Sequence, residues 1–195
     1  TYTQGGTYSS NIGSNNNYSM SFDGNNDYID LGVPNGINPT GSHTFMFWSK
    51  NHTPACDYGS IIGSANSPFS QNLNLHYGFR GCEIGPVANG YSCPSGNCMG
   101  MDFYANELFS SSYLDTNWTN WVLTYNSSTL ERKIFRDGLL VSQAVAPSSY
   151  NGNFDLLIGA DNGSSSVVGG FLTGNLDDIS IWSKVLSITE IQDYM

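Results

Sequence analysis

Residues 132–145, RKIFRDGLLVSQAV, read as two alternating runs joined by Asp137-Gly138. A type I′ turn needs positive φ at both central residues, and Asp followed by Gly meets that demand at low steric cost. The segment is therefore predicted as an antiparallel hairpin, and it sets the class for its surroundings. Outward from it, short β-like runs recur between turn signals: YSMSFDG, DYIDLG, HTFMFWSK, SIIGS, LNLHYGFRG, GMDFYANEL, NWVLTYN, DLLIGA and LDDISIWS. Many short strands punctuated in this way imply an all-β sandwich. One short helix is predicted, at the C-terminus, where Ser187 followed by Glu190 forms a capping box ahead of IQDYM.

The bulk composition narrows the function. At 195 residues the chain fits one domain with a real core. Charged residues make up only 11 %, and polarity comes instead from Asn, Ser, Thr, Gly and Tyr. That mixture suits extracellular β proteins, which need turn and strand formers. A formal charge of −10 argues against nucleic acid and against an anionic membrane surface. It is compatible with calcium, with neutral sugars or with simple solubility. No apolar run reaches membrane-spanning length, so a soluble chain is expected. No signal peptide is visible from Thr1, as expected of a mature or excised chain.

Two regions stand outside the strand pattern. Residues 1–19, TYTQGGTYSSNIGSNNNYS, carry no hydrophobic periodicity and are treated as an extended arm ahead of a domain spanning 20–195. The arm's alternating Thr, Tyr and Ser suit an edge strand, on its own domain or on a neighbour's. The Gly- and Cys-rich stretch 81–98 is the other. Cys56, Cys82, Cys93 and Cys98 are even in number and clustered, which suggests two disulfides in an oxidising compartment. Zinc is the rival, but YSCPSGNCMG spaces its cysteines poorly for it and has no nearby His. Three connectivities are possible, and Cys56–Cys82 with Cys93–Cys98 is the one expected, because the Pro-Ser-Gly-Asn loop closes easily.

Five phrases in order, MSFDGNNDYIDLG, TFMFWSK, NWVLTYNSSTLERKIFRDGLLV, LLIGA and GNLDDISIWSKVLSITEI, resemble the laminin-G-like branch of the concanavalin-A-like lectin/glucanase superfamily. The resemblance covers roughly residues 18–195 and implies an antiparallel jelly-roll sandwich of two sheets with a concave face and a rim of loops. Where relatives often carry His after a Trp, this chain reads Trp118-Thr119-Asn120-Trp121. The resemblance also implies a rim calcium site at Asp161 and Asn162, against which stands an ordinary turn.

The adjacent Asp177 and Asp178 raise the question of catalysis. Side chains alternate along a strand, so neighbouring carboxylates point to opposite faces and cannot flank one glycosidic bond. Asp177 shares a face with Ile179 and Ile181, the expected core side. First and last strands commonly run together in this superfamily, which would bring Asp23 near Asp177 as a structural calcium site. The alternative is that each carboxylate captures backbone N–H groups. The E-x-D-x-x-E spacing of glucanases does not occur, nor does a G-x-S-x-G elbow, and His43, His52 and His76 lack metal-ligand spacing. A non-catalytic chain is expected.

A binding face is sought by the same alternation. LNLHYGFRG puts His76 and Arg80 on its polar side, and GMDFYANEL puts Asp102, Tyr104 and Asn106 there. If the two strands are neighbours, His76, Arg80, Asp102, Tyr104 and Asn106 form one polar face suited to a sugar, or a solvated outer face. Sequons stand at Asn17, Asn51, Asn117, Asn126 and Asn162, about as many as chance supplies in so Asn-rich a chain. The expected function is an extracellular, lectin-like module recognising a glycan or glycoprotein. The alternative is a structural subunit of a filament or adhesive surface layer, a homopolymer joined through arm 1–19.

Overall fold

The computed structural model describes residues 18–51, 59–64, 74–77, 98–103, 106–113, 116–152, 155–162 and 167–195. Among them the strands are β1 (Met20–Asp23), β2 (Ile29–Gly32), β3 (His43–Asn51), β4 (Gly59–Ser64), β5 (Asn74–Tyr77) and β6 (Cys98–Asp102). There follow β7 (Glu107–Tyr113), β8 (Thr119–Tyr125), β9 (Glu131–Arg136), β10 (Leu139–Val145), β11 (Leu156–Ile158) and β12 (Thr173–Trp182), then the helix α1 (Ile188–Tyr194). One six-stranded sheet runs β1-β12-β3-β8-β9-β10, the other β2-β11-β4-β5-β6-β7. The strand pairings are antiparallel. This is the all-β sandwich that the turn signals predicted.

The hairpin at 132–145 forms as its sequence requires. Asp137 and Gly138 both take positive φ, 48° and 72°. Asp137 Oδ1 accepts the Asn120 N–H at 3.0 Å, which ties the tip to β8. The arm 1–19 lies outside the described residues as far as residue 17; β1 begins at Met20, on one edge of its sheet.

Two clusters hold the layers together. Between the sheets, Phe45, Phe47, Trp121, Leu123, Ile134 and Leu176 of one sheet meet Ile61, Ile62, Met99, Met101, Leu108, Leu156 and Ile158 of the other. On the outer face of the first sheet, Met46, Val122 and Phe135 are covered by Leu186 and Ile191, with Trp182 packed against them. The helix that brings Ile191 there starts on the predicted capping box: Ser187 Oγ accepts the Glu190 N–H at 3.3 Å, and Glu190 Oε2 accepts the Ser187 N–H at 2.8 Å. Lys184 pairs with the same Glu190.

Two expectations about β12 are corrected. Asp177 does not face the core with Ile179 and Ile181. Asp178 takes φ +45° and the register shifts between Asp177 and Ser180, so a bulge interrupts the alternation. Leu176 and Ile181 still point inward, while Asp177 sits opposite Trp48 on the outer side. The first and last strands do pair, yet Asp23 lies opposite Thr173. Asp177 lies four positions beyond Thr173, about 13 Å along a strand. The two carboxylates therefore do not converge on one ion, and they do not fit a shared calcium site. Each instead captures backbone: Asp23 Oδ1 accepts the Asn25 N–H at 2.8 Å, and Asp177 Oδ1 accepts the Asp178 N–H at 2.9 Å. The bond from Asn25 holds the Asp23 carboxyl below its ordinary range, while burial raises that of Asp177.

Candidate functional site

Strands β5 and β6 are neighbours, as the polar-face expectation required, with His76 opposite Gly100 and Asn74 opposite Asp102. On β6 that face is not a solvated one. Cys98 is 2 % exposed, Gly100 is buried and Asp102 is half-buried. Arg80 and Tyr104 lie outside the described residues, as does the side chain of His76. Cys98 is disulfide-bonded; Cys56, Cys82 and Cys93, and with them the expected pairing, lie outside the described residues.

Asn106 belongs to different surroundings from those that alternation assigned. GMDFYANEL is not one strand: β6 ends at Asp102, the Phe103 N–H donates to the Asn106 carbonyl at 3.4 Å, and β7 returns with Glu107 opposite Asp102. A hairpin turn resets the parity, so Asn106 leaves the face of Asp102. It meets Arg132, which reaches across from β9 in the opposite sheet. Arg132 Nη2 donates to Asn106 Oδ1 at 2.8 Å, and Nη1 donates to the carbonyls of Asn106 and Met101 at 2.5 and 3.2 Å. Its guanidinium carbon also stands 5.0 Å over the Phe103 ring. Arg132 is 1 % exposed. Burial pushes its pKa down to about 10, against the pull of Asp102 and Glu107, so it remains a cation at neutral pH.

A cavity of about 340 Å³ opens in front of this brace, lined by Phe103, Asn106, Ser148, Ser149, Tyr150 and Asn151. Its far wall is the segment after β10. The Ala146 N–H donates to the Leu130 carbonyl at 2.8 Å, and the Tyr150 N–H donates to Tyr125 Oη at 3.2 Å. Phe103 packs edge-on to Tyr125 at 5.1 Å and tilted to Tyr150 at 5.0 Å. Burial holds the Tyr150 phenol above its ordinary pKa, so it stays protonated. The two rings and Asn106 are buried at the back of the cavity, and the exposed Ser148, Ser149 and Asn151 form its mouth. Such a set offers apolar contact together with donors and acceptors, and its described members carry no formal charge.

Of the expected site residues, Asn106 alone among those with a described side chain lines this cavity. Arg132, Phe103, Ser148, Ser149, Tyr150 and Asn151 were missed. Arg132 was the legible one: it shares strand parity with Ile134, a core residue. The 148–151 segment offers no such periodicity.

Asp161 and Asn162 are buried, at 8 % and 5 %, and the backbone of Asp161 bridges to Gly169. Burial leaves no room for a glycan at Asn162, which corrects that sequon. Asn117 is exposed, and Asn126 Oδ1 accepts the N–H groups of Ser128 and Thr129 at 2.9 and 3.2 Å. Asn51 ends β3, with only its backbone described, and Asn17 and His52 lie outside the described residues. His43 is buried against Phe45 and Tyr125.

Residues 22–192 match a laminin-G family model described as Concanavalin A-like lectin/glucanases superfamily. By sequence, no curated protein matches. In fold the chain is similar to a Bacteroides ovatus protein provisionally named a carbohydrate binding protein, with TM-score 0.63 and 15 % identity over 89 % of this chain and 45 % of that one. It is similar to the CBM40 of the Ruminococcus gnavus IT-sialidase, with TM-score 0.61 and 11 % identity over 90 % of this chain and 95 % of that one. The same module has been solved bound to α2,3 sialyllactose. A third similar structure is the K499G mutant of the NanB sialidase of Streptococcus pneumoniae, with TM-score 0.62 and 15 % identity over 89 % and 27 %. The chain therefore spans less than half of the first and third of these and nearly all of the second. Matched over most of its length, the chain belongs to the concanavalin A-like lectin/glucanases superfamily.

Proposed function

We propose that this chain is a non-catalytic, lectin-like module that binds a glycan outside the cell. The observation that carries the reading is the cavity between the 103–106 turn and the 148–151 segment, backed by two aromatic rings and fringed by amides and hydroxyls. Sugars are bound by that combination, with C–H groups over rings and hydroxyls on planar amides. Likeness to carbohydrate-binding modules supports it at the level of fold. Among its described lining residues there is no carboxylate pair of the kind glycoside hydrolysis uses, which favours binding over cleavage. The disulfide at Cys98 and the Asn- and Ser-rich composition suit an oxidising, extracellular setting.

The test is retention of glycans on an array by the wild type and by a Ser148→Ala/Asn151→Ala double variant. Both side chains are exposed, so the fold tolerates their loss. Wild-type binding that drops tenfold or more in the variant is expected. Equal binding by the two proteins would remove the cavity from the account, and retention of no glycan would remove the function.

A second reading, assembly of copies, is favoured by strand β10. It forms an edge of its sheet, carries no charge and no proline, and exposes Leu139, Leu140 and Val145. Uncharged, apolar edges invite a further strand. The arm 1–19 of a neighbour is the strand proposed to fill it. Light scattering checks this: polymers that disappear when residues 1–19 are deleted are expected, and a monomer with the arm intact excludes it.

A further inference from the structure

Arg132 leaves the Asn106 side chain no choice of orientation. A guanidinium has donors only, so the end of the amide that meets it must be the oxygen. Nη2 donates to Oδ1 at 2.8 Å while Nη1 holds the backbone carbonyl of the same residue, so both the rotamer and the flip of the amide are set by a buried cation. Reversing the amide would point NH2 at the guanidinium and cost one of the three hydrogen bonds of a charge that is 1 % exposed. Asn106 is itself 7 % exposed, and among the described residues its Nδ2 has no hydrogen-bond partner. The cavity that Asn106 lines is what remains for that donor.

The charges around the cavity select further. Its described lining residues, Phe103, Asn106, Ser148, Ser149, Tyr150 and Asn151, are uncharged. Behind them one cation, Arg132, is answered by Asp102 and Glu107, both near enough to stabilise its charge. The chain as a whole carries −10. An anionic sugar entering here meets no accessible cation among the described lining residues and a surplus of negative charge on the chain, and it would lose its hydration without a partner there. A neutral sugar needs only an acceptor oxygen for the Asn106 donor and a C–H face for the rings.

Resting on the binding function proposed above, we infer that the cavity takes an uncharged sugar, and that Asn106 selects it by presenting Nδ2, held by Arg132, to a hydroxyl or ring oxygen. Arg132 is here a positioning residue and does not touch the ligand. This separates the chain from the Ruminococcus gnavus module, whose bound ligand, sialyllactose, is an acidic sugar.

The experiment uses paired glycans, each neutral structure beside its sialylated counterpart, against the wild type and Asn106→Asp. Aspartate at this position still accepts from Arg132, now as an ion pair, yet has no hydrogen to donate. The expected results are wild-type retention of neutral members, weakened tenfold or more by sialylation, and a loss of tenfold or more in Asn106→Asp with Tm unchanged or raised. Preference for the sialylated members overturns the inference, and so does undiminished binding by the variant. In both cases the module still binds sugar and the proposed function stands. Failure of the wild type to retain any glycan overturns the function itself, and this inference with it. The comparison of paired glycans on the wild type does not depend on the variant folding.

Discussion

The imidazole of His43 lies between the rings of Phe45 and Tyr125, with centroids 5.4 and 5.2 Å away, and its Nδ1–H donates to the Gly41 carbonyl at 3.0 Å. Burial pushes its pKa down to about 4 from 6.5. Between those values the unfolded chain binds the proton and the folded one does not, so stability rises with pH across that window and is lost as pH falls through it. The full shift corresponds to about 3 kcal/mol. Urea denaturation between pH 4 and 7 should show the slope, and His43→Leu should flatten it. Gly159 is constrained differently. It takes φ +81°, and a Cβ there would stand 2.3 Å from the Phe22 ring. Gly159→Ala is expected to cost about 2–4 kcal/mol, from the left-handed backbone and the overpacking together, read as a fall in the urea midpoint.

At the scale of elements, the bulge in β12 is the feature with the widest effect, since it decides where two carboxylates go. Asp178 at φ +45° is a conformation that β-branched residues disfavour strongly. Asp178→Val should therefore destabilise by about 1–2 kcal/mol, whereas Asp178→Gly should be neutral or stabilising. Asp23 and Asp177 sit too far apart to share an ion, so Asp23→Asn and Asp177→Asn should each leave unchanged any Tm response to calcium and chelator. Ser187→Ala removes the cap of α1 and should cost about 1 kcal/mol. These elements also show what the residues made legible. The Asp137-Gly138 hairpin and the Ser187/Glu190 box were readable because both are local: backbone sterics and one side-chain bond determine them. The bulge at Asp178 and the turn at 103–106 were not, because alternation assumes an unbroken strand. In each case a single interruption broke the parity across it, setting Asp177 off the face of Ile181 and Asn106 off the face of Asp102. The partnership of Asn106 with Arg132 spans two sheets and 26 residues, and no spacing rule reaches that far.

For the whole molecule, two sheets and a covering helix divide the apolar surface into an inner and an outer core. Deleting residues after Trp182 would uncover Met46, Val122 and Phe135, and increased binding of a hydrophobic dye with a lowered Tm is expected. The brace from Arg132 has another consequence at this scale. Sandwiches breathe most readily at their end strands, and both β7 and β10 are end strands. Arg132 rivets β9 to carbonyls of the other sheet beside β7, so that flank cannot gape without carrying a cation away from its hydrogen-bond acceptors. The amide protons of β7 and β10 should then trade with deuterium as one slow unit, and occupancy of the cavity, which touches both sides of the seam, should slow them further still.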